Sequence, residues 1–469
     1  MKMKFLFASC ATLLCLGLCS AESKAVEKKY PHTHYYDWQF KLVEVKDENA
    51  ENNVRHQMDF TLPMHGPWLT NPRSDGMTIT WITRVTCAGG IEYREKGTQE
   101  FKRLWPVKYG QVDYSKDIQH FHLTGLKPDT EYEYRLLSNM DQASTAYYRD
   151  IAVGREIYSF RTLSRGKDNY RIFITADFHG GSRLNLDPIL SETGSQNADL
   201  FFFLGDNVDD NVQMIRYYTT FGFLDDVSRA YGKYKPSVFL RGNHDFIGRD
   251  SHQYGEYFPT PNEKAYQAFR HGPVLYVCMD TAWPAKEKIQ LEQQNKYFAE
   301  QAQWIRELKK TEDWKTAKFR IVMAHITPSI NVGYDVLAKH WREVFNDTTP
   351  EGRIHAYLCG HHHVYRRINP GTRESRINNA FGEVNVKRYP IVKAAPDVTD
   401  PYTVVVCRFL EGMTVDVSPE KLVFKSHRWL YLPQNDLYDA FEITPDGKVK
   451  DLIKVDVFPF PAPAPAKKK

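Results

Sequence analysis

Between residues 170 and 369 the chain uses one device repeatedly: a short apolar run ends in a loop of Asp, Asn, Gly and His. RIFITA (171–176) leads into Asp177-Phe178-His179, DLFFFL (199–204) into Gly205-Asp206-Asn207-Val208-Asp209, and SVFLR (237–241) into Gly242-Asn243-His244-Asp245. RIVMA (320–324) leads to His325, and IHAYLC (354–359) to Gly360-His361-His362-His363; VLYVCM (274–279) is a further strand of the series. Short continuous apolar runs suit strands covered on both faces. Helices are expected between them at 217–231 and 291–309, the second placing Phe298, Ala302, Ile305 and Leu308 on one face. Strand–helix alternation of this kind predicts an α/β layer fold. Such sheets bind ligands beyond the C-terminal ends of their strands, so the five polar loops are expected to converge.

The convergent residues suit metal ions. Carboxylate oxygens and imidazole nitrogens bind ions of the Fe, Mn and Zn class, and one carboxylate can bridge two of them. Asp177, His179 and His363 are assigned to one metal, Asn243, His325 and His361 to the other, with Asp206 bridging. Strand alternation would point His361 and His363 to one face and His362 away. Asn243 supplies a neutral oxygen, which leaves the charge of its metal available to substrate. His244 is then free to act as general acid, and Asp209 is placed to hold its imidazole protonated and aimed. A pair of metals can activate water, polarise a phosphoryl group and steady the leaving oxygen.

Residues 60–163 read as all-β, with strands at 77–81, 91–93, 120–126 and 131–137 between Gly- and Asp-rich turns. GLKPDTEY (125–132) looks like a tyrosine corner, in which the Tyr132 hydroxyl ties the strand entry to nearby backbone.

The series DFH, GDNVDD, GNHD, AHIT and GHHH resembles the motifs of calcineurin-like metallophosphoesterases. That resemblance covers roughly residues 170–369 and implies the metal roles just given, together with an Asp209–His244 pair. The stretch 60–163, with PWLT, MTITW and GLKPDTEYEY, is similar to the N-terminal sandwich of purple acid phosphatases. The implied architecture is a metallophosphoesterase α/β fold, a two-sheet β-sandwich flanked by helices, preceded by an all-β fibronectin III-like sandwich. Departures are informative. Purple acid phosphatases carry D-x-G where this chain has Asp177-Phe178-His179, and a ligating tyrosine where it has Asp209. Protein Ser/Thr phosphatases carry an arginine where it has Asp210, whose charge would disfavour a dianionic monoester if it faces the site.

The expected organisation is a signal peptide (1–21), an extension (22–59), the sandwich (60–165), the phosphoesterase domain (166–457) and a Pro/Ala/Lys tail (458–469). The signal is read from Lys2 and Lys4, the apolar run 5–18, and Ser20-Ala21 before a polar segment. It predicts an exported protein, periplasmic or extracellular, with no transmembrane span in the mature chain; a lipid on Cys19 fits less well because Leu18 is bulky. Export would remove Cys10, Cys15 and Cys19, leaving Cys87, Cys278, Cys359 and Cys407, which allow one bridge but no disulfide framework. A net charge of +4 on 469 residues, with no dense basic block in the body, indicates no nucleic-acid-binding module.

The leading expectation is therefore an exported dinuclear-metal hydrolase of phosphoric esters, phosphomonoesters foremost, acting by metal-bound hydroxide with His244 as acid. A phosphodiesterase or nucleotide hydrolase is the second reading, a non-catalytic surface binding protein the third. Small-molecule or polymer phosphoesters are the expected partners. Asn243 and His362 are candidate substrate contacts, whereas Arg366 and Arg367 read as strand-edge charges in solvent and Trp283 as core.

Overall fold

The computed structural model describes residues 34–36, 42–44, 63–139, 151–154, 156–179, 186–208, 223–248, 250–260, 262–281, 288–328, 335–377, 399–409, 411–428 and 437–459. The signal segment, Asp209, Asp210, Trp283 and residues 460–469 lie outside these, as do residues 217–222 of the first expected helix.

Two large sheets face each other. One has ten strands, and its centre runs Glu411–Val417, Tyr170–Thr175, Leu200–Phe203, Pro236–Phe239, Pro63–Thr70. The other has eight, with Val274–Cys278, Phe319–Met323, Ala356–Cys359 and Thr403–Val406 side by side and parallel. Pleating splits each strand between two cores. Ile172, Ile174, Leu200 and Phe202 meet Tyr276, Ile321 and Leu358 between the sheets. On the outer face of the ten-stranded sheet, Phe173, Phe201 and Phe203 pack against Leu186, Ile189 and Leu224. Beneath the eight-stranded sheet, Leu275, Val277 and Val322 pack against Phe298, Ala302 and Ile305 of the helix Lys288–Leu308, and against Trp341 of the helix Asp335–Phe345. Strands buried on both faces explain why the runs read as continuously apolar.

The described end of the first expected helix is a short turn, Asp225–Val227, continued with π-helical bonding through Ser228–Gly232. The helices Leu186–Glu192 and Asp335–Phe345, and the shorter Tyr254–Tyr257 and Glu312–Thr316, add to those expected.

The N-terminal part is an all-β sandwich around Trp81, Ile91, Phe121, Tyr134 and Phe160. Lys127 N–H donates to the Tyr132 hydroxyl (3.0 Å), the backbone tie of a tyrosine corner. Its two layers part company at their edges. The strands Pro63–Thr70, Met77–Thr83 and Ile118–Leu123 continue the ten-stranded sheet through a parallel pairing of Pro236 with Leu69 and Ser237 with Thr70. A single hydrogen-bonded sheet thus joins the sandwich to the α/β part.

Cys87, Cys278, Cys359 and Cys407 are buried free thiols, so the bridge that their number allows is not made. Arg366 and Arg367 are buried rather than solvated. Arg367 pairs with Asp439 and Asp451, each at 2.7 Å, and Tyr365 also donates to Asp439 (2.6 Å). This buried network supplies the countercharges that a purely local reading of the stretch does not reveal.

Candidate metal centre

All five polar loops lie at the same end of the two sheets, and their backbones are unusual. Asp177, His179, Asp206, His361 and His363 have φ of 59°, 54°, 51°, 72° and 56°. Left-handed backbone at a non-glycine residue costs about 1–2 kcal/mol, and a concentration of it marks functional sites. His361 and His363 reach a common side from this backbone rather than from strand pleating. The loops are held by one another: Asp177 N–H donates to Gly205 O (3.0 Å), His179 N–H to Asp206 O (2.8 Å) and Gly360 N–H to His325 O (3.0 Å). A Cβ on Gly242 would lie 2.2 Å from Asp206 Oδ1, and one on Gly360 2.5 Å from Asp177 Oδ2. Both glycines let neighbouring loops touch the buried carboxylates.

The side chains form two groups that share Asp206. In one, ligand atoms of Asp177, His179, Asp206 and His363 lie within 4.8 Å of one another; in the other, those of Asp206, His325 and His361 do. Asn243 belongs with the second, its Oδ1 being 2.7 Å from His361 Nδ1 and 3.1 Å from His325 Nε2. His362 stands outside both groups, its ring edge-on to His361.

The donor chemistry fits cations. His325 Nδ1–H is committed to the Leu204 carbonyl (2.8 Å), so a neutral His325 turns the lone pair of Nε2 toward Asn243 Oδ1 and toward Asp206 Oδ2 at 3.1 Å. Acceptors would face acceptors. Asp206 Oδ2 is buried and receives no hydrogen bond, and His179 Nε2 confronts His363 Nε2 at 2.9 Å. Positive charge reconciles the contacts of His325 with Asp206, while the His179–His363 pair closes as a hydrogen bond when one ring carries its proton on Nε2. A proton can supply part of that charge. Burial would lower His325, but Asp206 and Asp177 outweigh burial and raise it to about 9. Burial, reinforced by Asp206, pushes Asp177 up to about 8, whereas His325 and His244 overcome burial and hold Asp206 below the carboxylate range. Burial lowers His363 to about 4 and His361 further, keeping both neutral, the state in which imidazole binds metal.

His244 lies on the open side. Its backbone N–H donates to Asp206 Oδ1 (2.8 Å), its Nε2 is 3.8 Å from Asp206 Oδ2, and its ring stands edge-on to His179 at 4.5 Å.

Three supporting residues had no role in the sequence reading. Asp245, fully buried, accepts from Gly242 N–H (2.7 Å), Val208 N–H (2.9 Å) and Asn207 N–H (3.2 Å), so one carboxylate stitches two ligand loops together. The unassigned acidic residue ending Gly242-Asn243-His244-Asp245 was its only signal. Asp280, just after the 274–278 strand, forms an ion pair with Arg241, next to Gly242. Phe409, beyond the strand Thr403–Val406, walls the site with ring centroids 5.8 Å from His363 and 6.0 Å from His179. Neither carries a local signal.

The sequence profile of the calcineurin-like phosphoesterase family matches residues 170–365. Two uncharacterised proteins of Mycobacterium tuberculosis, from strains CDC 1551 / Oshkosh and ATCC 25618 / H37Rv, are each 23% identical over 287 residues, covering 54% of this chain and 51% of the relative. The chain thus spans about half the length of the curated relatives it matches. Among solved structures, PhoD is similar with a TM-score of 0.53 at 10% identity, over 87% of this chain and 94% of that one. The purple acid phosphatase PPD1 from yellow lupin (Lupinus luteus) seeds is similar with a TM-score of 0.53 at 14% identity, over 82% and 75%. At such identities the likeness is one of fold. Together with the matched profile and the ligands gathered at the strand ends, it shows that residues 170–365 form a domain of the calcineurin-like phosphoesterase family.

Proposed function

We propose that this chain is an exported hydrolase of phosphoric esters that favours phosphomonoesters. The observation that carries the reading is Asp206, one buried carboxylate common to two ligand groups, with the His244 imidazole 3.8 Å from it. Asp177, His179, Asp206 and His363 would hold one cation; Asp206, Asn243, His325 and His361 the second. Bound there, the pair would supply the charge that polarises a phosphoryl group and acidifies a water.

The protein's own residues do the rest. Hydrolysis joins phosphorus to the oxygen of water and breaks its bond to the ester oxygen, which departs needing a proton. His244 donates it, held on the open side of the site by its backbone bond to Asp206. Asn243 contributes a neutral oxygen, so its cation keeps more charge for the substrate. Asp209 is the proposed partner of His244 in the charged state.

A diester reading is supported by Asp210, next to Asp209 in the chain, because a carboxylate repels a dianion more than a monoanion. The test is hydrolysis of p-nitrophenyl phosphate beside bis(p-nitrophenyl) phosphate by metal-reconstituted protein, with Asp206→Asn, which removes the carboxylate common to both ligand groups, as control. Faster monoester cleavage that the variant loses supports the proposal, and faster diester cleavage replaces it with the second reading. Failure to bind metal would overturn the hydrolase reading and leave the binding-protein one. Export is supported by the pattern of residues 1–21; an exported form starting at Glu22 is the expected result of N-terminal sequencing. No helix among the described residues is long and apolar enough to cross a membrane.

A further inference from the structure

Apart from the metal centre, a cleft of about 840 Å³ opens where the N-terminal sandwich meets the α/β part. One wall is the strand Ile118–Leu123, with His120 and His122; the other is the first three turns of the helix Lys288–Leu308. Tyr254 and Leu240 form the floor, and the Tyr254 hydroxyl donates to the Leu240 carbonyl (3.0 Å).

The helix wall is unusual in kind. Gln290, Gln293, Gln294 and Tyr297 fall at i, i+3, i+4 and i+7, the spacing by which a helix normally presents an apolar stripe to a core. Here that stripe carries amides and a phenol: Gln290 and Gln293 are exposed, while Gln294 is buried and the Tyr297 hydroxyl donates to Asp280 (2.9 Å). Further along the same helix, Phe298, Ala302 and Ile305 return to the ordinary apolar pattern. The next amide on this face, Gln301, is buried and donates to the Asp280 carbonyl (2.9 Å), so the exposed amides of the stripe are those of the turns that line the cleft.

Charge narrows the choice of ligand. Each Lys and Arg of the lining has a carboxylate partner: Lys116 with Glu256 (3.6 Å), Lys264 with Glu300 (2.6 Å), and Arg241 with Asp280 (2.5 Å). Burial lowers His122 to about 4 and His120 as well, so the histidine wall is neutral at physiological pH. An anion would find no uncommitted cation among these. Amide groups donate and accept at once, which matches hydroxyl groups, and clefts at domain junctions are common ligand sites.

We propose that this interdomain cleft binds a neutral, hydroxyl-rich ligand, a sugar or polyol ring. The site is separate from the metal centre but adjoins it through the chain: Leu240 and Arg241 precede Gly242-Asn243-His244, and Phe246, also in the lining, follows them.

Binding is tested without turnover, so the result stands apart from the phosphoesterase reading. Saturation-transfer NMR on the full chain would use methyl α-glucopyranoside, N-acetylglucosamine and myo-inositol, with sulfate by calorimetry as the anionic probe. Two variants address the cleft. Gly255 lines it, and a Cβ there meets nothing within 4 Å, so Gly255→Phe fills the space without a backbone clash. Gln293→Ala removes one amide from the stripe. Neither residue belongs to the metal centre, and near-UV circular dichroism checks that both variants keep the native fold. The expected result is binding of at least one neutral probe, abolished by Gly255→Phe and weakened about tenfold by Gln293→Ala, the scale of one lost hydrogen bond. No binding of any neutral probe, binding of sulfate alone, or binding undiminished in both variants would overturn the proposal.

Discussion

A general acid matters in proportion to how badly the leaving group needs a proton, and that makes the role of His244 separable from a structural one. An alkoxide leaves poorly without protonation; a nitrophenolate leaves unaided. His244→Ala is therefore expected to lower kcat on an alkyl phosphate by about 10²–10⁴-fold, and on the p-nitrophenyl ester much less. Equal losses on both esters would mean that the substitution disturbed the ligand loops instead. The side chains that the structure gathers into the two candidate groups were legible in the chain because each follows an apolar strand and is of a type that binds metal. Asp280 was not legible, since its partner Arg241 lies 39 residues away and meets it only in the fold. Arg367 was misread for the same reason: its countercharges, Asp439 and Asp451, come from distant strands.

At the scale of loops and strands, the glycines set how closely the ligand loops approach. Gly360→Ala would put a Cβ 2.5 Å from Asp177 Oδ2, whereas the Cβ of Gly255→Ala meets nothing within 4 Å. Overpacking of a rigid site costs about 1–3 kcal/mol. Gly360→Ala is expected to lower both the thermal midpoint and the metal content measured by elemental analysis, while Gly255→Ala changes neither; normal metal content in Gly360→Ala would show that the loops can yield. The strands themselves were readable from their apolar runs, as the predicted 274–279 against the observed Val274–Cys278 shows. Which strands pair was not. The parallel pairing of Ser237 with Thr70 joins segments more than 160 residues apart, and no local periodicity encodes it.

Across the whole molecule, the end of the sheets opposite the metal centre is tied by neutral histidines. His355 Nδ1 accepts the Arg320 N–H (3.1 Å) on the neighbouring strand, and its Nε2–H donates to Pro445 O (3.0 Å) in a turn of the other sheet. Only the neutral ring can make both bonds, and burial, aided by the charges of Arg320 and Arg353, lowers it to about 4. His271 accepts the Ser164 N–H (3.2 Å) from the segment between the two parts of the chain, and burial lowers it to about 4 as well. An unfolded histidine titrates near 6.5. Below that pH the unfolded chain binds protons that the folded chain refuses, so stability present above about 6.5 falls as pH drops and is lost once pH passes through about 4. Each histidine contributes about 3 kcal/mol to this decline. Urea denaturation at a series of pH values should show the decline. In His355→Gln the amide can donate to Pro445 and accept from Arg320 without titrating, so the decline should shrink by one histidine's share. A variant as acid-sensitive as the parent would move the cause of acid unfolding away from this seam and toward the carboxylates.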